Sequence, residues 1–179
     1  MERPRTSAFV GVSLDGFLAR TDGSIDWLKP FEGEDHGYGA FFATVDAVVI
    51  GRRTYECVLE MLRTGLAWPY EGVRCVVMTH RQIQPTHAER AFSGDAVGLL
   101  RELHAQGARH VYVDGGAVIR NFLQAGVLDS LTVSVAPVLI GSGFPLFGGV
   151  SKESGLHLEK AMSFKNGLAQ MRYTIQPTA

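Results

Sequence analysis

The chain has 179 residues, 46% of them hydrophobic and 20% charged, a length and balance that fit one domain with a single sizeable core. Its formal net charge is -1, which argues against a general nucleic-acid binder, because such proteins carry a basic surplus to meet phosphates, and leaves room only for a local basic patch. No apolar run reaches the roughly 18 residues that cross a bilayer, so no membrane role is expected.

The first element is "SAFVGVSL", Ser7 to Leu14, a run that reads as a buried strand. The long Gly-, Asp- and Glu-rich stretch after it, "DGFLARTDGSIDWLKPFEGEDHGYG", is of the kind that forms lids and binding loops. "AFFATV", Ala40 to Val45, is expected to close a short helix, and "DAVVIG", Asp46 to Gly51, to form a second buried strand. Tyr55, Val58, Leu59 and Leu62 recur at helical spacing over Arg53 to Leu62. A third strand is predicted over Val73 to Thr79, a helix over Asp95 to Ala105, and a fourth strand over Arg109 to Val113. Ala117 to Ala125 reads as a helix with Gly126 as its C-terminal cap. "LTVSVAPVLIG" reads as a long strand broken at Pro137, where a ladder hydrogen bond is lost. The C-terminal segments "LHLEKAMSF" and "LAQMRYTI" flank "KNG", a strong hairpin signal. The alternation of strand and helix predicts an α/β domain over residues 1–179, with a mostly parallel sheet and an antiparallel hairpin at one edge.

Cys57 and Cys75 lack a disulfide framework and read as small buried hydrophobes, which fits a reducing compartment. The N-terminus, "MERPRTSAFVGV", shows no apolar signal-peptide region, so a cytoplasmic location is expected. The six histidines have no metal-ligand spacing, and no metal is expected.

Three strand ends carry residues suited to phosphate. Gly115 and Gly116 join a strand to a helix N-terminus, where bare backbone and unpaired N–H groups favour an anion, although a positive-φ turn also explains them. Gly51 to Thr54 makes a second such junction, with Arg52 and Arg53 as guanidinium forks, and a Thr cap with two solvated arginines is its plainer reading. Thr79, His80 and Arg81 follow the third strand, as phosphate or adenine contacts or as an ordinary polar turn. Parallel strands would bring all three to one edge. No GxGxxG after a strand and no Walker A pattern is present.

The ordered set "VSLDGFLA", "IDW", "VVIGRRTYE", "VDGGAVIRNFL" and "LDSLTVSVAPVLIGSGFPLF" resembles the dihydrofolate reductase-like superfamily. It is most similar to stand-alone proteins related to the C-terminal reductase domain of bacterial riboflavin-biosynthesis deaminase/reductases. The resemblance runs from about Ser7 to Ile175. It implies a three-layer α/β/α fold with a twisted sheet, NADPH as cofactor, and hydride transfer to a C=N or C=O carbon of a small pterin- or aminopyrimidine-like heterocycle. Arg52 matches the residue that holds the 2′-phosphate, and Thr54 a pyrophosphate contact, with Gly51 and Arg53 beside them. Thr79, His80 and Arg81 match the adenosine-side loop. Asp114, Gly115, Gly116, Ala117 and Val118 match the pyrophosphate cradle. The Leu18 to Trp27 segment resembles the loop that closes over the nicotinamide, with Leu18 and Ala19 on the cofactor and Trp27 on the substrate.

Folate reductases place an acid near the next helix, where this chain has Glu32, Glu34 and Asp35, and the ungapped count selects Asp35 as catalytic and substrate-binding. Asp15 reads first as an Asx-turn residue and second as a catalytic contact. Riboflavin-pathway reductases carry a lysine where this chain has Gly11, and "SIDWLKPF" is not their Ser/Thr-rich segment. The resemblance also implies a homodimer. The competing expectations are a nucleotide-binding sensor or assembly module without turnover, and a carbonyl reductase on the same cofactor.

Overall fold

The computed structural model describes residues 2–150 and 153–176. Among the described residues, ten strands and four α-helices follow in chain order: β1 (Arg5–Ser13), β2 (Phe17–Ala19), α1 (Tyr38–Phe42), β3 (Ala47–Gly51), α2 (Arg52–Arg63), β4 (Arg74–Met78), β5 (Arg90–Phe92), α3 (Ala96–Ala105), β6 (His110–Asp114), α4 (Gly116–Gln124), β7 (Ser130–Ala136), β8 (Phe144–Pro145), β9 (Leu156–Ser163) and β10 (Ala169–Ile175). Eight strands form one sheet in the order β5-β4-β3-β6-β1-β7-β10-β9. The pairings from β5 across to β7 are parallel, and β10 and β9 add the antiparallel edge.

Strands buried on both faces need continuous apolar runs, and "AVVI" in β3 is fully buried at all four positions. Alternate residues serve two cores. Val49, Val76, Val111 and Val113 pack with α3 and α4 on one face. Val48, Ile50, Val77 and Tyr112 pack with Tyr55 and Val58 of α2 and with the aromatics of α1 on the other. A smaller cluster of Trp27, Ala136 and Leu168 lies under a 3-10 turn, Asp26–Phe31, within the long loop.

The chain leaves β3 through α2 towards β4, and leaves β6 through α4 towards β7, in opposite directions and on opposite faces of the sheet. The β3–β6 boundary, where Ile50 pairs with Asp114, is therefore the topological switch point.

Several elements differ from expectation. α1 starts earlier than Ala40 and ends at Phe42. β7 stops at Ala136 and does not resume beyond Pro137. β5, and the two-stranded ribbon of β2 with β8, are too short to give a period. Edge strand β9 is exposed along its whole length. A bulge places Lys160 opposite Arg172 but Leu158 opposite Tyr173, so consecutive rows on either side of Glu159 face opposite ways. Met162, Lys160, Gln170 and Arg172 share the Trp27 side, while Leu156, Leu158, Met171, Tyr173 and Ile175 share the α4 side.

The β4-to-β5 crossover has no helix and is organised by Glu89, which is 2% exposed. Its carboxylate accepts from the Tyr55 hydroxyl and from the N–H groups of Thr86 (2.7 Å) and His87 (2.6 Å). Burial alone would push this carboxyl up, but the Tyr55 hydroxyl and these N–H groups hold it down at about 2. A depressed folded-state pKa contributes stability that is present above the unfolded value and lost as pH falls through the folded one, here about 3 kcal/mol lost between about pH 5 and pH 2. Urea unfolding across that range should show a correspondingly weaker pH dependence for Glu89→Gln, and an unchanged dependence would remove Glu89 from this role.

Candidate functional site

The two junctions at the switch point touch. Gly115 has φ +90°, and a Cβ there would lie 2.3 Å from Thr54 Oγ1, so glycine is required both by the backbone and by the hydroxyl packed against it. A Cβ on Gly116 would come within 2.9 Å of Leu18 Cδ1 and 3.1 Å of the Pro145 carbonyl, because the β2–β8 ribbon stands over the start of α4. Arg120 fixes that ribbon by donating from Nη1 to the carbonyls of Pro145 (2.7 Å) and Leu146 (3.1 Å). Arg53 lies over the Phe144 ring at 4.7 Å, and Arg52 pairs with Glu56 one turn along α2.

Helix capping separates these two helices from a third. Away from the switch point, α3 is capped by Asp95, which accepts from the Gly98 N–H at 2.7 Å. Neither α2 nor α4 has a side-chain cap. Their first-turn N–H groups, at Arg52 to Thr54 and at Gly116 to Val118, thus face the switch point without a side-chain acceptor among the described residues, and the positive ends of both dipoles meet there.

The structure therefore brings together Leu18, Ala19, Gly51, Arg52, Arg53, Thr54, Asp114, Gly115, Gly116, Ala117 and Val118. Thr79, His80 and Arg81 lie one strand further out, past the end of β4. Thr79 Oγ1 accepts from the Arg81 N–H (3.0 Å), and His80 Nδ1 meets Ser93 Oγ (2.7 Å), so this loop is an ordered turn with exposed His80 and Arg81.

The loop acids have other partners. Exposed Asp35 accepts from the Gly39 N–H at 2.8 Å and so caps α1. Glu32 and Glu34 are exposed, and Glu34 lies 3.7 Å from His36 Nε2. Asp15 does not form the expected Asx turn. It reaches across to the loop after β7 and accepts from the N–H groups of Gly141 (2.7 Å) and Ile140 (3.1 Å). The Ser13 hydroxyl, with the Gly141 and Ile140 N–H groups, holds its carboxyl below the ordinary range, so Asp15 is an ionised clamp between two loops.

Asp114 is the acid whose setting sequence reasoning missed. As the last residue of β6 it shares the face of His110 and Tyr112. Burial pushes its carboxyl above the ordinary value despite the hydrogen bond it accepts from the Gly115 N–H at 2.7 Å. Tyr70 Oη lies 3.5 Å from Asp114 Oδ2. Tyr38 is pushed up to about 12, first by burial and then by the Asp114 charge, so the wall beside this acid is phenolic and neutral. Nothing local in "GYGAFF" or "WPYEG" announces that Tyr38 and Tyr70 converge here. The alternation along β6 is the one signal that pointed Asp114 inward.

Trp27 is 5% exposed, and its Nε1 is a buried donor with no hydrogen-bond partner among the described residues. No group of three or more His, Cys, Asp or Glu among those residues is placed to hold a metal, and no helix is long and apolar enough to cross a membrane.

The architecture is that of an open α/β sheet whose ligand crevice lies at the carboxyl ends of its strands. Residues 5–169 match the RibD C-terminal domain, and the chain belongs to that family, the reductase domain of RibD proteins. It is 37% identical over 177 residues to the uncharacterized protein YwjB of Bacillus subtilis (strain 168), covering 97% of this chain and 98% of that one. It is 29% identical over 164 residues to riboflavin biosynthesis protein RibD of Corynebacterium ammoniagenes, a match covering 80% of this chain and 46% of RibD. The crystal structure of a candidate riboflavin biosynthesis protein from Shewanella sp. PV-4 superposes with a TM-score of 0.87 at 28% identity, covering 96% of this chain and 99% of that one. The chain is thus RibD reductase-like in family and in fold.

Proposed function

We propose that the protein is an NADPH-dependent reductase acting on a small planar heterocycle of the aminopyrimidine or pterin type. The observation that carries this reading is the meeting, at one switch point, of two uncapped helix N-termini and a partly buried carboxylic acid. The donor set suits a dinucleotide: first-turn N–H groups and the Thr54 hydroxyl for a pyrophosphate, and Arg52 for a 2′-phosphate. Leu18 and Ala19 on the ribbon, with Trp27 beyond it, would close over the reacting rings. NADPH would supply the hydride.

The chain's own contribution is position and a proton. Asp114 holds its proton to a higher pH than an ordinary carboxylic acid, within the same crevice, and can donate it to a ring nitrogen or oxygen as electrons arrive there. The Tyr70 hydroxyl lies 3.5 Å from that carboxyl. Asp15 fixes the ribbon's root to the loop after β7. Residues 5–169 match the RibD C-terminal domain, and Gly11 departs from the riboflavin-pathway pattern, so the proposed substrate is the heterocycle without a commitment to a ribose phosphate.

We also propose a homodimer through the α4-side face of β9 and β10, where Leu156 and Leu158 are 44% and 50% exposed beside Tyr173 and Ile175.

Three outcomes follow. Arg52→Ala should raise the Kd for NADPH by about 10-fold or more and leave that for NADH nearly unchanged, measured by fluorescence titration, because only NADPH carries the 2′-phosphate. Equal losses would sink the assignment. Asp114→Asn should lower kcat by about 10²-fold or more and abolish the fall in rate as pH rises through the raised pKa of Asp114. The same variant should gain stability relative to wild type at high pH, where the native carboxyl is forced to ionise, and a retained pH–rate profile would exclude Asp114 as the acid. Leu158→Glu should convert the dimer to monomer in sedimentation analysis, and a wild-type monomer would refute the dimer.

A further inference from the structure

A second pocket lies well outside the crevice, on the Trp27 side of the antiparallel edge. It has a volume of about 160 Å³ and is lined by His36, Gly37, Lys160, Met162, Phe164, Gln170 and Arg172. β10 is three strands from β6, so its backbone lies roughly 14 Å across the sheet from Asp114 at about 4.8 Å per strand.

Its charges are one-sided. Lys160 and Arg172 stand directly opposite each other on antiparallel strands and on the same face. Like charges in that arrangement repel. Neither forms an ion pair among the described residues. The acid of the bulge, Glu159, is bonded instead to the Thr174 hydroxyl. Glu34, 3.7 Å from His36 Nε2, is the carboxylate nearest the imidazole.

The wall facing these cations is built rather than incidental. His36 has φ +50°, a conformation unusual for a non-glycine residue. It is held there by three contacts. Gln170 Nε2 donates to its carbonyl (3.1 Å) and to Ser134 Oγ (2.9 Å). Asn166 Nδ2 meets its Nε2 at 3.2 Å. The Phe164 ring packs edge-on at 4.6 Å. Gln170 itself is 6% exposed. His36, with its backbone at positive φ and its carbonyl held by the buried Gln170 amide, closes one side of a small cavity whose other side carries an ammonium and a guanidinium.

We propose that this pocket binds a phosphate group. A dianion neutralises both cations at once and relieves their repulsion. A tetrahedral oxyanion matches the cavity's size, whereas a nucleotide exceeds it. The guanidinium fork can grip two oxygens and the ammonium a third. The ligand is either inorganic phosphate or the phosphate of a small monoester whose body extends into solvent. This inference is independent of the NADPH reading, because it uses none of the same residues.

The test is titration of the full chain with inorganic phosphate and with ribose 5-phosphate at constant ionic strength. It is followed calorimetrically and by the NMR shifts of the His36 ring. Wild type should saturate, with His36 resonances moving. Lys160→Gln and Arg172→Gln should each weaken binding about 10-fold, and the double variant should show no saturation. Without phosphate, the double variant should melt no lower than wild type, since it removes a repulsion. Tighter binding of ribose 5-phosphate than of phosphate would assign a monoester, and equal binding a free anion, and both uphold the site. Binding that survives in the double variant but is lost in Arg52→Ala would place the anion in the nucleotide crevice and overturn the proposal. So would the absence of saturable binding, or saturation with the His36 resonances unmoved.

Discussion

Everything at the proposed active edge depends on one contact, that of the Thr54 hydroxyl with the backbone of Gly115. Two neighbouring parallel strands end side by side, and the helices that follow must leave towards opposite faces. Their first turns can sit this close only if one of them begins on a residue without a side chain and with a positive φ. Gly115 meets both demands. Once it does, two sets of backbone N–H groups point into the same gap, and the side chain just before it, Asp114, is left inside the sheet's aromatic face. Anion-binding capacity and a partly buried acid are thus two results of one steric arrangement.

The parts of this arrangement legible in the sequence were those with a period or a punctuating residue. The buried strands, the helices over residues 53–62, 95–105 and 117–125, and the Asn-Gly hairpin all announce themselves locally. β5 did not, because "RAF" offers three residues and no alternation, and its place is set by Glu89 drawing the crossover loop inward. The β2–β8 ribbon did not, because its strands are two and three residues long and 125 positions separate Asp15 from its clamp at Ile140.

The acid illustrates the same limit. Counting along the chain selects Asp35, a residue of suitable type at a suitable spacing, but the fold leaves it exposed and bonded to the Gly39 N–H. What distinguishes Asp114 is desolvation, which depends on Tyr38 and Tyr70, residues 76 and 44 positions away in the chain. No window of sequence contains that environment. Trp27 is similar: its burial under a short 3-10 turn could be guessed from its type, but its unpartnered N–H could not.

The bulge at Glu159 has a consequence for how the edge strand uses its residues. With an unbroken two-residue alternation, Leu156, Leu158, Lys160 and Met162 would all project to one side, mixing grease with charge on a surface fit for neither. One extra residue shifts the phase and sorts them, so that the leucines join the α4 side and Lys160 meets Arg172 on the other. A single strand of eight residues thereby presents an apolar surface and a cationic one back to back, with opposite chemistries separated only by the thickness of a backbone.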